Sequence, residues 1–185
     1  MLNADSTKLQ AAVRRTWPGE PDAKTQRYVG AFFDNKVVGT KITAKVAGNH
    51  GTYAVSIEIA DNELVSACSC YIGKGGYCHH CRALALTYLQ NPASFSEVQQ
   101  KQREEVQHVR DLHSYLQSVT LDSLLKQLSE RGITQKAFAE SIGMNPRHLT
   151  AIKSSEARNH FFNELGATKL ACLWLLDHVG EFQGS

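Results

Sequence analysis

Ala67-Cys68-Ser69-Cys70-Tyr71-Ile72-Gly73-Lys74-Gly75-Gly76-Tyr77-Cys78-His79-His80-Cys81 is the stretch around which the rest of the chain arranges itself. It holds four of the five cysteines within 14 residues. In a reducing compartment such a cluster reads as a metal site before it reads as disulfides. Zn²⁺ takes four soft or borderline donors in a tetrahedron, and thiolates with an imidazole supply them. Two cysteines one residue apart at a strand end project to the same side, because side chains alternate along a strand. The Gly73-Lys74-Gly75-Gly76 run lets the backbone turn back without steric cost, and the next donors fall where a helix begins. Three thiolates and one neutral imidazole would leave a charge of −1 on the ion complex, which the positive end of that helix offsets in part.

Working outward toward the N-terminus, Tyr28–Phe33, Val37–Val46, Thr52–Ile59 and Leu64–Cys68 are rich in β-branched and aromatic residues. They are separated by Asp34-Asn35, Gly48-Asn49-His50-Gly51 and Asp61-Asn62, which tolerate the positive φ of hairpin turns. Val55, Ile57 and Ile59 alternate with Ser56 and Glu58, giving one buried face. Residues 5–17 form a short amphipathic helix, closed by Trp17-Pro18-Gly19. After residue 80 the pattern becomes helical, and Asn91-Pro92 stops the first helix.

Cys-x-Cys, a short loop, Cys-x-His and an apolar helix resemble the SWIM zinc finger over roughly residues 28–90. The resemblance implies Cys68, Cys70, Cys78 and His80 as ligands of one structural Zn²⁺ per chain. It also implies DNA or protein contact, with no catalytic activity in the module. Cys81 departs from the pattern, which usually has an aliphatic residue there. Cys78-x-x-Cys81 is itself a good zinc knuckle, so a four-sulfur set with Cys81 in place of His80 stands as the alternative. A catalytic ion keeps a position open to water, whereas five donors here compete for four places, so a closed structural site is expected. The bland alternative is a group of buried free cysteines without metal.

The second informative region is 121–179. Leu121, Leu124, Leu125 and Leu128 mark a helix closed by Arg131-Gly132. Thr134–Ile142 marks another, ended by Gly143. Asn145 caps a third, with Pro146 in its first turn. Phe138, Ile142, Met144, Leu149 and Ile152 are expected to fill a shared core, and Phe161, Phe162, Leu165, Leu170, Leu173, Trp174 and Leu176 to cover it. Their number suggests a surface for a homodimer. These positions resemble the helix-turn-helix of the lambda repressor/Cro (XRE) family. The resemblance implies a duplex-DNA partner, with the third helix in the major groove. Gln135, Asn145, Arg147, His148 and Thr150 are then the candidates for base or nearby phosphate contact, Arg147 being suited to guanine. Lys136, Lys153 and Arg158 are the candidates for phosphate. The alternative is a helical bundle of the same shape that docks another protein, with the zinc module also free to recruit one.

The expected fold class is therefore an α+β N-terminal zinc module of β-hairpins plus helix, followed by an all-α helix-turn-helix domain. The expected boundaries are 1–92 for the zinc module, 93–119 for a helical linker and 120–185 for the second domain. A net charge of +2 and a pI near 8.3 neither announce nor exclude nucleic acid. No apolar run approaches the ~20 residues of a membrane span, and no secretory leader is visible, so a cytoplasmic protein is expected. No P-loop, nucleophile elbow or paired carboxylates accompany the cysteines, so an enzyme is not expected.

Overall fold

The computed structural model describes residues 2–60, 63–72, 77–99 and 103–182. The Gly73–Gly76 loop, with Lys74, lies outside the described residues. The chain is mixed α and β and divides into two compact units, Met1–Gln99 and Gln100–Ser185.

In the first unit, α1 (Leu2–Thr16) buries Leu9, Ala12 and Val13. A short α2 (Ala23–Tyr28) follows, capped by Asp22, whose Oδ1 accepts from the Thr25 N–H at 2.7 Å. The strand expected from Tyr28 therefore begins later. Asp22 and Thr25 favour a helix up to Tyr28, and Gly30, at φ 77°, turns the chain into β1. Strands β1 (Phe32–Val38), β2 (Lys41–Gly48), β3 (Gly51–Ala60) and β4 (Glu63–Cys68) form an antiparallel meander. The pairs Val46 with Tyr53, Ala44 with Val55 and Ile42 with Ile57 line its core face. Asp34 adopts φ 54° at a bulge in β1 and pairs with Lys36 and Lys45.

The helix α3 (His79–Gln90) lays Ala83, Leu84, Ala85 and Tyr88 into the core shared with that face. Thr87 ties it to the turn after α2, its Oγ1 accepting from the Gly30 N–H at 2.9 Å. The chain then returns as β5 (Ser96–Val98), parallel to β1, giving the order β4-β3-β2-β1-β5. The first compact unit thus runs on past residue 92, because three residues of strand pairing complete its sheet edge.

The second unit contains, among its described residues, α4 (Val109–Ser118), α5 (Leu121–Glu130), α6 (Gln135–Ser141), α7 (Pro146–Glu156) and α8 (Leu165–Phe182). Thr120, Thr134 and Asn145 cap α5, α6 and α7 with their side-chain oxygens. Gly143, at φ 69°, makes the sharp turn between α6 and α7. Leu124, Leu125, Leu128, Phe138, Ala139, Leu149 and Ile152 form the core with Cys172, Leu173 and Leu176. The segment expected as a linker is partly drawn into this core: α4 buries Tyr115. Several residues expected inside are at the surface instead. Ile142 at the end of α6, Phe161 and Phe162 in the loop before α8, and Leu170 and Trp174 on the outer side of α8 are exposed.

One buried ion pair knits four of these helices. Lys169 on α8 is 4% exposed, and its ammonium lies 2.6 Å from Glu156 at the end of α7. It also donates to the carbonyls of Leu116 and Val119, each at 2.7 Å, which end α4. The other Glu156 oxygen accepts from the Leu121 N–H at 2.8 Å, the start of α5. The ammonium thus meets the C-terminal end of α4 and the carboxylate the N-terminal end of α5, the ends whose dipoles suit them.

Candidate metal centre and the surface of the second unit

Cys68 closes β4, Cys70 lies two residues on, Cys78 is the N-cap of α3 and His80 stands in the first turn of that helix. All four are buried, and their ligand atoms lie within 4.8 Å of one another. Cys68 and Cys70 do meet in one cluster, but not by strand alternation, since β4 ends at Cys68 and Cys70 lies in the bend beyond it. His80 Nδ1 is 3.7 Å from Cys68 Sγ and 3.8 Å from Cys78 Sγ. With metal–sulfur bonds of about 2.3 Å and metal–nitrogen bonds of about 2.0 Å, a tetrahedron has sulfur–nitrogen edges of about 3.5 Å and sulfur–sulfur edges of about 3.8 Å. The two sulfur–nitrogen separations therefore suit a tetrahedral ion, with Nδ1 as the nitrogen facing the sulfurs. The Cys70 N–H points at Cys68 Sγ, 3.5 Å away, a backbone hydrogen bond of the kind that steadies a coordinating sulfur.

The surroundings hold His80 in this pose. Its ring packs edge-on against Tyr28 at 4.5 Å between centroids and, tilted, against Tyr53 at 5.2 Å. His80 is 3% exposed, and its Nε2 has no hydrogen-bond partner among the described residues. A ring walled in this way offers Nδ1 to the sulfurs and keeps Nε2 among aromatic faces. Tyr53 in turn lies over Gly48 across the β2–β3 turn, where a Cβ would fall inside its ring. The sequence gives no hint of the two tyrosines as supports. Gly48 was legible only as a turn residue.

Cys81, also fully buried, places its Sγ 3.6 Å from Cys78 Sγ. Hydrogen bonds from Cys68, then Cys81, hold the Cys78 thiol well below its ordinary range, and His80 adds to this. Its partnership with Cys78, then with Cys81, together with burial, pushes Cys68 the other way. In Cys81 the bond with Cys68 lowers the value, but Cys78 and burial outweigh it and the thiol is pushed up to about 12. Cys172 stands apart in the second core, and burial pushes it up to about 12, as befits an inert thiol.

On the second unit, the residues expected at a DNA surface lie on or beside α6 and α7. Gln135 opens α6 and is exposed. Lys136 is exposed and sits 3.9 Å from Glu140. The Asn145 side chain is engaged as the cap of α7, accepting from the Arg147 N–H at 2.8 Å. Arg147 is exposed in the first turn, with no ion-pair partner among the described residues. His148 lies 4.0 Å from Glu164 and edge-on to Phe162. Thr150 donates to the Pro146 carbonyl at 3.1 Å. Lys153 pairs with Asp122 at 3.1 Å, and Arg158 has a buried Nε without a partner among the described residues. The structure thus groups Asn145, Arg147, His148 and Thr150 at one end of α7, pairs Lys153 with Asp122 nearer its other end, and places Arg158 just beyond the helix with its Nε buried.

Fold and site together define a mixed α/β chain whose first unit carries a closed cluster of three thiols and an imidazole able to hold one metal ion. No protein-family model matches the chain, and neither a curated protein nor a solved structure matches it. Among the described residues no helix is long and apolar enough to cross a membrane.

Proposed function

We propose that the chain is a duplex-DNA-binding regulator whose first unit is held together by one structural Zn²⁺. The reading for zinc rests on the donor set. Cys68, Cys70, Cys78 and His80 are all buried, so a bound ion is shielded and its role is to join β4 to α3. It would supply folding free energy rather than a reactive water. Tyr28 and Tyr53 orient the imidazole and exclude solvent from it.

The observation that carries DNA binding is the α6–Gly143–α7 arrangement, which leaves the N-terminal turn of α7 exposed with Arg147 unpaired among the described residues. A helix presented by its N-terminal turn suits major-groove reading, and Arg147 suits a guanine edge. The resemblance to the helix-turn-helix of the lambda repressor/Cro family points the same way. The basic complement is modest, since Lys136 and Lys153 have carboxylate partners. Affinity should therefore depend on few phosphates and show a shallow salt slope.

The test is selection from random duplex DNA with the full chain, followed by Arg147→Ala on the selected site. The substitution should cost about 1–3 kcal/mol of specific binding with the fold intact. A full chain that shifts no duplex at low salt would end this reading. It would leave the second one, a protein-interaction adaptor. That reading is favoured by the exposed apolar side chains, above all Val109 (88%), Tyr71 (85%) and Tyr77 (68%).

A further inference from the structure

Beside the four donors of the cluster lies a fifth, Cys81, and its position is informative. Cys81 Sγ is 3.6 Å from Cys78 Sγ and lies close enough to Cys68 to interact with it. His80 Nδ1 contacts the same two sulfurs, at 3.7 and 3.8 Å. The imidazole and the fifth thiol thus flank one edge, Cys68–Cys78, from adjacent positions in the first turn of α3. An ion bonded to that edge has both within reach.

We propose that Cys81 is a reserve ligand, giving the pocket a second, four-sulfur donor set that a soft, thiophilic cation such as Cd²⁺ takes in place of the three-sulfur, one-nitrogen set that holds zinc. This rests on the metal reading above.

Two opposing effects decide which donor is used. A fourth thiolate raises the charge of the buried complex from −1 to −2, and burying charge is costly. Zn²⁺, a borderline cation served well by imidazole, gains too little from the extra sulfur to offset this. A softer cation gains more from thiolate than from imidazole, so the balance tips. The exchange is a ligand substitution. The Cys81 thiol gives its proton to solvent as its sulfur bonds the cation, and His80 Nδ1 leaves with its lone pair, with no change of oxidation state. The wild-type pocket therefore reports which kind of cation it holds by which residue of α3 is engaged.

The experiment uses the full chain loaded with ¹¹³Cd²⁺ and, separately, with Co²⁺ as an optical stand-in for zinc. In ¹¹³Cd spectra the wild-type resonance should coincide with that of His80→Ala and move upfield in Cys81→Ser, where nitrogen replaces sulfur. The Co²⁺ absorption of wild type and Cys81→Ser should be the same. A shared ¹¹³Cd resonance for wild type and Cys81→Ser overturns the proposal. So does a Co²⁺ spectrum altered by Cys81→Ser, since Cys81 would then belong to the zinc set. Cys81→Ala, with far-UV circular dichroism of each loaded variant, separates ligand exchange from misfolding. A wild-type chain that takes up neither cation fails at the earlier step, the metal site itself.

Discussion

Replacing Lys169 with methionine removes one charge from the second unit and strands another. In the native chain the ammonium spends all three of its N–H groups, on Glu156 at 2.6 Å and on the carbonyls of Leu116 and Val119 at 2.7 Å each. Its side chain is 5% exposed and that of Glu156 13%, so water can replace little of this. Methionine keeps the aliphatic stem but leaves a buried carboxylate with only the Leu121 N–H, and two helix-end carbonyls without a donor. Breaking a buried pair from one side costs about 3–5 kcal/mol. For a unit of this size that is a fall of about 12 °C or more in melting temperature. Urea unfolding followed by Trp174 fluorescence in a Trp17→Phe background isolates the second unit. Adding Glu156→Gln to Lys169→Met removes the stranded charge and keeps an oxygen for the Leu121 N–H, so the double variant should recover part of the loss. A single variant within about 1 kcal/mol of wild type, or a double variant weaker than the single, would refute this account of the pair.

Other consequences are open to direct measurement. Cys70→Ser should abolish bound metal and the cooperative melting of the first unit while the second still melts, and one metal ion per chain in that variant would contradict the ligand set. Gly48→Ala should drive the Tyr53 ring off its seat and loosen His80, weakening metal affinity about tenfold or more in a competition with a chromophoric chelator; unchanged affinity would remove Tyr53 from the support of the site. The Asp34 carboxyl is held below its ordinary range by hydrogen bonds from Lys36 and then Lys45. Its contribution is present above the unfolded value of about 4 and is lost as pH falls through the lower folded value. The melting-temperature gap between wild type and Asp34→Asn, which tolerates the same positive φ, should therefore shrink on going from pH 6 to pH 3. These pairs are partly exposed, so the gap is small and weakened by salt.

Much of this architecture was legible because local chemistry and tertiary structure agree. The β-branched runs and their turn residues predicted the β2–β3 and β3–β4 hairpins, and the spacing of the cysteines predicted that Cys68 and Cys70 fall in one cluster. Asn145, Pro146 and Gly143 marked the turn into α7 because each has a specific backbone role. What stayed hidden depends on distant partners. Ser96–Val98 is polar and three residues long, and becomes a strand only because the edge of β1 is there to pair with it. Lys169 sits among Thr168 and Leu170 and reads as a surface lysine, since its three acceptors lie on helices far away in sequence. Phe161 and Phe162 read as core because they are apolar, and nothing local reveals that no layer covers them. In the candidate site the donors were legible from spacing, whereas the choice of Nδ1 is set by Tyr28 and Tyr53, which come from other elements.

The order of β5, α3 and the sulfur cluster along the chain has a mechanical meaning. Tension entering the first unit through residue 99 first meets three residues of parallel pairing, then the apolar seat of α3. Only after both give way does it load the bonds between an ion and the donors of Cys78 and His80. With metal in place, a threading unfoldase working from that side would strip the edge strand and unspool the helix before stalling at the ion. The last anchor under load would then be a coordination bond, with an endurance set by the exchange rate of the metal rather than by the sheet.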